Sequence, residues 1–307
     1  QIITGRTNPN GCPISSTFYV SHRGTNYRYV QSLYRRRQEI AGHSITHERS
    51  GEWAKEIVGQ REILRNFARI PSDRMPGFRA PFLESGGEEQ WVVMARNGFK
   101  YDSTLVELNN HEPIFPYTFE YQKSTTCVIE PCPSQYSYPG IWEMPVTQWN
   151  SHIDNVTDYG MLDEYVPRDK ADVLAYLRHN FNRHFLTNRA PFNMYLHWYW
   201  FRDYPFTFEA LLEFIDELLD RPEVFFVSQI QAIEWMRRPQ TLVEIGALDA
   251  WKCSGTLPGP AVCDVESQKE CIYDDPVTGD PTVMVTCSEC PPEYPWLGNT
   301  AGATQSL

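Results

Sequence analysis

Glu39-Ile40-Ala41-Gly42-His43-Ser44-Ile45-Thr46-His47 is the stretch on which the fold turns. Its first four residues read as a short strand that runs straight into a histidine. A second histidine follows four residues later, and i, i+4 side chains are neighbours within one helical turn. Two imidazoles placed in this way suit two nitrogen ligands of a Zn²⁺-type ion, with a third protein ligand and an open position for water. The same spacing also arises on surface helices by chance, so the rest of the chain has to supply the partners.

Outward from that stretch, short apolar runs alternate with helical periodicity, the pattern of βα units. The strand candidates are Thr17–Val20, Glu39–Gly42, Gly77–Arg79, Phe99–Asp102, Ile141–Val146, Phe192–His197 and Val224–Ser228. Helices are expected over Asn26–Arg37, Glu52–Ala68, Glu88–Asn97, Asp169–Phe185, Phe208–Asp220 and Ile230–Arg237, and Gly98 stands where a helix-ending glycine belongs. Residues 103–140 read as irregular, and beyond Leu242 both signals fade into a Cys-, Pro- and Gly-rich tail. The pattern is α/β, either a (β/α) barrel or an open sheet, and in both the function sits at the carboxyl ends of the strands. His43, Arg79, Asp102, Glu143 and His197 all fall at predicted strand ends, which makes a converging polar cluster the better reading.

The chain has 307 residues, enough for one large domain or two small ones. Hydrophobic residues at 41% allow a sizeable core, and aromatics at 14% suit a dense core or a sugar-binding groove. A net charge of −12, with Arg35, Arg36 and Arg37 as its one basic run, argues against a nucleic-acid partner. The same acidity is compatible with a cationic polymer as product or partner. No stretch approaches the roughly 18 apolar residues of a membrane span. No signal peptide is visible, and a start at Gln1 reads as a mature, processed or trimmed product. The eight cysteines read as disulfides and hence secretion. Cys127 and Cys132 are expected to pair and Cys12 to bond a tail cysteine, the other pairings staying open. A zinc knuckle on Cys287-x-x-Cys290 is the rival, but no second close pair follows. Asn155-Val156-Thr157 is a glycosylation acceptor.

The motifs together resemble the polysaccharide deacetylases with a NodB homology domain, most closely the arthropod-type chitin deacetylases. His43-Ser-Ile-Thr-His47 is similar to the family's H-[ST]-x-x-H motif and Arg79-Ala80-Pro81-Phe82 to its R-x-P-[YF] motif. Tyr101-Asp102-Ser103 resembles the start of D-S-x-D-W, and Leu196-His197 the motif that carries the catalytic histidine. The resemblance spans nearly the whole chain, including Trp142-Glu143-Met144-Pro145 and the ending around Cys287, Cys290 and Trp296. It implies a distorted (β/α) barrel of the NodB type over residues 1–241, with residues 242–307 as a disulfide-rich tail wrapping it.

The activity implied is metal-dependent hydrolysis of N-acetyl groups on chitin or chitooligosaccharides, releasing acetate. The metal would be Zn²⁺ or another divalent transition metal, held by His43 and His47. His197 would protonate the leaving amine, Arg79 would orient the base, and Asp102 would hold or tune His197. The N–H of Phe82 would donate to the oxyanion, Leu196 would line the acetyl pocket, and Trp142 is a candidate sugar-stacking face whose alternative is a core aromatic. The implied setting is a secreted monomer of the extracellular matrix, cuticle or peritrophic, with no nucleic acid and no membrane span.

Two departures from the pattern stand out. The T-F-D-D motif, which in the family supplies the base and the third ligand, is absent. Its place would be upstream of Gln1, on a strand preceding Thr17–Val20, without which two sheet edges are exposed. The second Asp and the Trp of D-S-x-D-W are also absent, and residues 48–52 are shorter than the family's loop. A non-catalytic chitin-binding or matrix-organising protein is therefore the second hypothesis. A glycosidase on paired carboxylates such as Glu143 and Asp102 is the third.

Overall fold

The computed structural model describes residues 2–49, 51–107, 112–121, 129–132, 137–154 and 157–304. The chain opens with β1 (Thr17–Val20), α1 (Tyr27–Arg35), β2 (Glu39–Gly42), α2 (Trp53–Phe67), β3 (Gly77–Phe78), α3 (Glu88–Arg96) and β4 (Tyr101–Asp102). It continues through β5 (Val106–Glu107), β6 (Tyr117–Phe119), β7 (Tyr138–Glu143), β8 (Val146–Thr147), β9 (Trp149–Asn150) and β10 (Asp158–Tyr159). Four helices follow, α4 (Lys170–Phe185), α5 (Tyr199–Asp203), α6 (Phe206–Leu219) and α7 (Gln229–Arg237), and then a hairpin of β11 (Lys269–Asp274) and β12 (Pro281–Thr286).

The main sheet has six strands in the order β1-β2-β3-β4-β7-β6. Its first five strands pair in parallel, and β6 closes the far edge antiparallel to β7. Local chemistry sets the helix starts. The Asn26 side chain accepts from the Tyr29 N–H, Asp169 accepts from the Asp172 N–H, and Ser228 with Gln231 forms a reciprocal capping box. Gly98 ends α3 at φ +71°, the left-handed position such an ending needs. At Gly77 a Cβ would stand 2.0 Å from the Tyr101 ring, so β3 and β4 pair closely only with glycine there.

The fold is α/β as expected, but among the described residues the strands of the expected distorted barrel form an open six-stranded sheet. Residues 192–197 and 224–228 run without ladder partners, so the sixth and seventh predicted strands are not strands. Segment 224–228 is instead tied to the N-terminal arm, partly through side chains. Asn8 bonds the N–H and C=O of Phe226, and the Ser15 hydroxyl accepts from the Ser228 N–H. Strand character needs a neighbouring backbone, and β1 is left as an open edge of the sheet. The alternating apolar pattern of these segments carries no information about whether that neighbour is present.

The tail also departs from expectation. The β11/β12 hairpin lies where strand signals seemed to end, and Cys271, Met284 and Tyr294 join Tyr27, Val30, Ile63 and Phe67 in one core cluster. Crosslinks reinforce this packing: Cys12–Cys253, Cys263–Cys287 and Cys271–Cys290. Cys12 does reach a tail cysteine. Cys287 and Cys290 enter separate disulfides, which rules out the zinc knuckle. Cys132 is disulfide-bonded, and Cys127 and Asn155 lie outside the described residues. No helix among the described residues is long and apolar enough to cross a membrane.

Candidate active site

His43 and His47 are not on a helix. They flank a loop at the end of β2 in which Ser44 and His47 both take left-handed backbone angles, φ 65° and 55°. Non-glycine residues seldom hold that conformation without outside support. The support is Glu56, fully buried on α2. One carboxylate oxygen accepts from the N–H groups of Ile45 and Thr46 at 2.7 and 3.1 Å, and the other from the Thr46 hydroxyl at 2.6 Å. The Ser44 hydroxyl accepts from the His47 N–H at 3.0 Å. The two imidazoles meet edge to face with centroids 4.9 Å apart.

Both histidines are held neutral, as ligands must be. Burial first, then the Arg79 charge, lowers His43 to about 3, and burial also lowers His47. The Arg79 carbonyl lies 2.8 Å from His43 Nδ1, so that nitrogen donates and Nε2 is the one available to a ligand. Donor type and protonation thus suit a divalent transition metal. The set is incomplete, because no group of three or more His, Cys, Asp or Glu among the described residues is placed to hold one.

Arg79 is buried at the end of β3. Its guanidinium lies 4.5 Å from the Tyr195 ring centroid and 5.6 Å from that of Tyr19, and donates to Met161 Sδ at 3.2 Å. No carboxylate among the described residues pairs with it, so the expected bidentate contact to a base is not seen. Just beyond, Phe82 and Leu83 take φ 57° and 59°. Phe82 is 50% exposed and meets the His47 ring at 5.1 Å. It lies in a single 3₁₀ turn, Pro81–Leu83, closed by the Glu84 N–H donating to the Pro81 carbonyl.

On the opposite wall, His197 pairs with Asp163. Nδ1 lies 2.7 Å from Asp163 Oδ2, and the His197 N–H donates to the same oxygen at 2.6 Å. This assigns the proton to Nδ1 and leaves Nε2 free. The Asp163 side chain is 1% exposed and that of His197 43%. Asp163 escaped the sequence reading because nothing local marks it. It stands in a short turn, Leu162–Glu164, that is 34 positions from its histidine.

Asp102, expected to hold or tune His197, makes its hydrogen bonds elsewhere. Its carboxylate is sealed beside α3 and accepts from Gln90 Nε2 at 2.8 Å and from the Thr104 N–H at 3.0 Å and hydroxyl at 2.9 Å. Burial raises it to about 6, against hydrogen bonds from Glu143, Thr104 and Gln90 that pull it down. Glu143 is its register neighbour on β7, and both are fully buried. A glycosidase pair must flank an open cleft, so the third hypothesis fails on position. Trp142 packs beside Tyr101, Met144 and Ile233 and does not line the cleft.

One cleft of about 1180 Å³ joins His43, His47, Arg79, Phe82, Leu196 and His197. Beyond them it runs on as an apolar trough between β1 and the unladdered segments, past Ile14, Phe18, Met194 and Phe226.

No family model matches the chain. Chitin deacetylase 1 of Bombyx mori is 33% identical over 326 residues, covering 98% of this chain and 59% of its own length. Chitin deacetylase 8 of Bombyx mori is 33% identical over 323 residues, covering 98% of this chain and 80% of its own. The chain thus spans 59% of the length of the first relative. The crystal structure of Puue allantoinase aligns at 18% identity and a TM-score of 0.48, covering 74% of this chain and 70% of its own.

Proposed function

The chain belongs to the arthropod-type chitin deacetylase family, and from that premise we propose that it hydrolyses the N-acetyl groups of chitin or chitooligosaccharides, releasing acetate. The observation that carries the reading is the cleft itself, with a neutral histidine pair on one wall and a His–Asp dyad on the other. In this reading water adds to the acetamide carbonyl carbon, the C–N bond of the tetrahedral adduct breaks, and the amine nitrogen takes the proton carried by His197 Nε2. Asp163 holds that ring through Nδ1. The N–H of Phe82 would donate to the developing oxyanion, and Leu196, which lines the cleft, would face the acetyl methyl.

His43 and His47 are proposed as two ligands of Zn²⁺ or another divalent transition metal, which when bound would acidify a water and polarise the carbonyl. No group of three or more His, Cys, Asp or Glu among the described residues is placed to complete that set, and the buried Arg79 would orient the carboxylate base. The accompanying fold reading is a distorted (β/α) barrel of the NodB type. A secreted, matrix-associated monomer completes the proposal. Disulfides support the oxidising route.

The incomplete donor set favours one alternative, a chitin-binding protein without catalysis. Acetate release from chitin oligomers, measured together with the metal content of dialysed protein, separates the two. Release that disappears in His197→Ala supports the hydrolase. Oligomer binding with neither release nor retained metal leaves the binding role.

A further inference from the structure

Tyr199 meets His197 in an arrangement that the hydrolysis above does not use. Its ring lies nearly parallel to the imidazole, with centroids 4.8 Å apart and planes 12° apart. Its hydroxyl is 2.9 Å from His197 Nδ1, the nitrogen that also faces Asp163 Oδ2 at 2.7 Å. Burial, then the Asp163 charge and hydrogen bond, push the Tyr199 hydroxyl up to about 12, so it stays protonated. Tyr199 opens α5, and the Trp200 N–H donates back to the His197 carbonyl at 3.3 Å, which closes the turn that carries both rings.

Only the Nδ1–H tautomer leaves Nε2 free to carry a proton in the cleft, and Asp163 selects it. One hydrogen bond at one nitrogen does not fix a ring that is 43% exposed, because rotation about the Cβ–Cγ bond swings Nε2 away. A flat ring over one face, together with a hydroxyl at the Nδ1 edge, blocks that rotation. We propose that Tyr199 is a positioning residue that locks the plane and tautomer of His197, aiming Nε2 into the cleft. This rests on the reading of His197 as the proton donor to the leaving amine.

The test uses the full chain with ¹⁵N-labelled histidine and two variants. Tyr199→Phe keeps the flat ring and loses the hydroxyl, and Tyr199→Ala loses both. In long-range ¹H–¹⁵N spectra, with the His197 signals assigned by their loss in His197→Ala, the wild type should show the pure Nδ1–H form. Tyr199→Ala should show averaged nitrogen shifts, and Tyr199→Phe should stay near wild type. With a chitin tetramer, kcat should fall about 10- to 100-fold in Tyr199→Ala and recover most of that in Tyr199→Phe, with KM moving less than about twofold. Should Tyr199→Ala lose its near-UV circular dichroism, Tyr199→Leu fills the site without a flat face and takes its place. Unaltered His197 shifts in the variant without the ring would overturn the proposal, as would a loss carried by KM alone. A wild-type protein that releases no acetate defeats the hydrolase reading, and the spectra still decide on Tyr199.

Discussion

His43 and His47 stand on a loop whose backbone is pinned from α2 by a fully buried carboxylate. His197 stands in a half-open turn and is held by one aspartate and one tyrosine. The first pair is kept neutral by burial, whereas the second wall leaves its imidazole in reach of solvent. The difference matches what each wall would do. A ligand must keep its lone pair and its position, so rigidity and desolvation serve it. A proton carrier must exchange with the cleft, so exposure with a fixed orientation serves it.

The contrast breaks first at Glu56. Glu56→Ala strands two N–H groups and a hydroxyl in the interior and leaves a cavity, so unfolding free energy should fall by about 3–5 kcal/mol. Urea denaturation measures it. A loss below about 1 kcal/mol would show that the loop holds its left-handed residues unaided. Asp163→Asn should act in the opposite manner, with stability near wild type and acetate release lowered about 100-fold, equivalent to about 2.7 kcal/mol of barrier. Equal damage to stability and rate would erase the distinction between the walls.

How much of this was legible follows the same divide. Helices α1, α2, α3, α4, α6 and α7 fall within two residues of their predicted bounds, because each carries its own apolar stripe. Strands β1 and β2 were equally plain. What depends on distant chain was not. Segments 192–197 and 224–228 have strand-like sequences but only isolated bonds to neighbouring chain, not a ladder. In β11 and β12, Cys271 pairs in register with Met284 on the face that meets α1, a pattern masked by the surrounding prolines and glycines. His43 and His47 were found as a pair, but their spacing suggested a helical turn where a strained loop does the work. Asp102 and Asp163 show the limit for acids. Strand-end position pointed to Asp102, which is sealed beside Gln90, while the residue that bonds His197 has no periodic signature at all.

Asp102, buried behind the 79–82 segment, offers a smaller effect. Its unfolded value is 3.8 and its folded value about 6, so the native state binds the proton more tightly. The stabilising contribution is therefore full below pH 4 and is lost as pH rises through 6. Asp102→Asn cannot ionise and should flatten the fall in unfolding free energy over that window by roughly 1–2 kcal/mol, read from urea midpoints at successive pH values. An unchanged slope would mean that Glu143, its partner across β4 and β7, carries the proton instead.

The smallest effect concerns which aromatic faces the sugar. Trp142 is partly buried against Tyr101, Met144 and Ile233, outside the cleft lining, whereas Phe82 is half exposed at its rim beside His47. Trp142→Phe should lower stability by about 1 kcal/mol and leave oligomer binding unchanged, since it removes packing volume and no cleft surface. Phe82→Ala should weaken oligomer binding by about 1 kcal/mol, the worth of one exposed stacking face, with stability near wild type because the ring buries little. Titration calorimetry with chitin oligomers and urea midpoints on both variants give the two numbers. If the binding loss follows Trp142 instead, the sugar runs along the β7 side, and the cleft between the two histidine walls is not where the polymer lies.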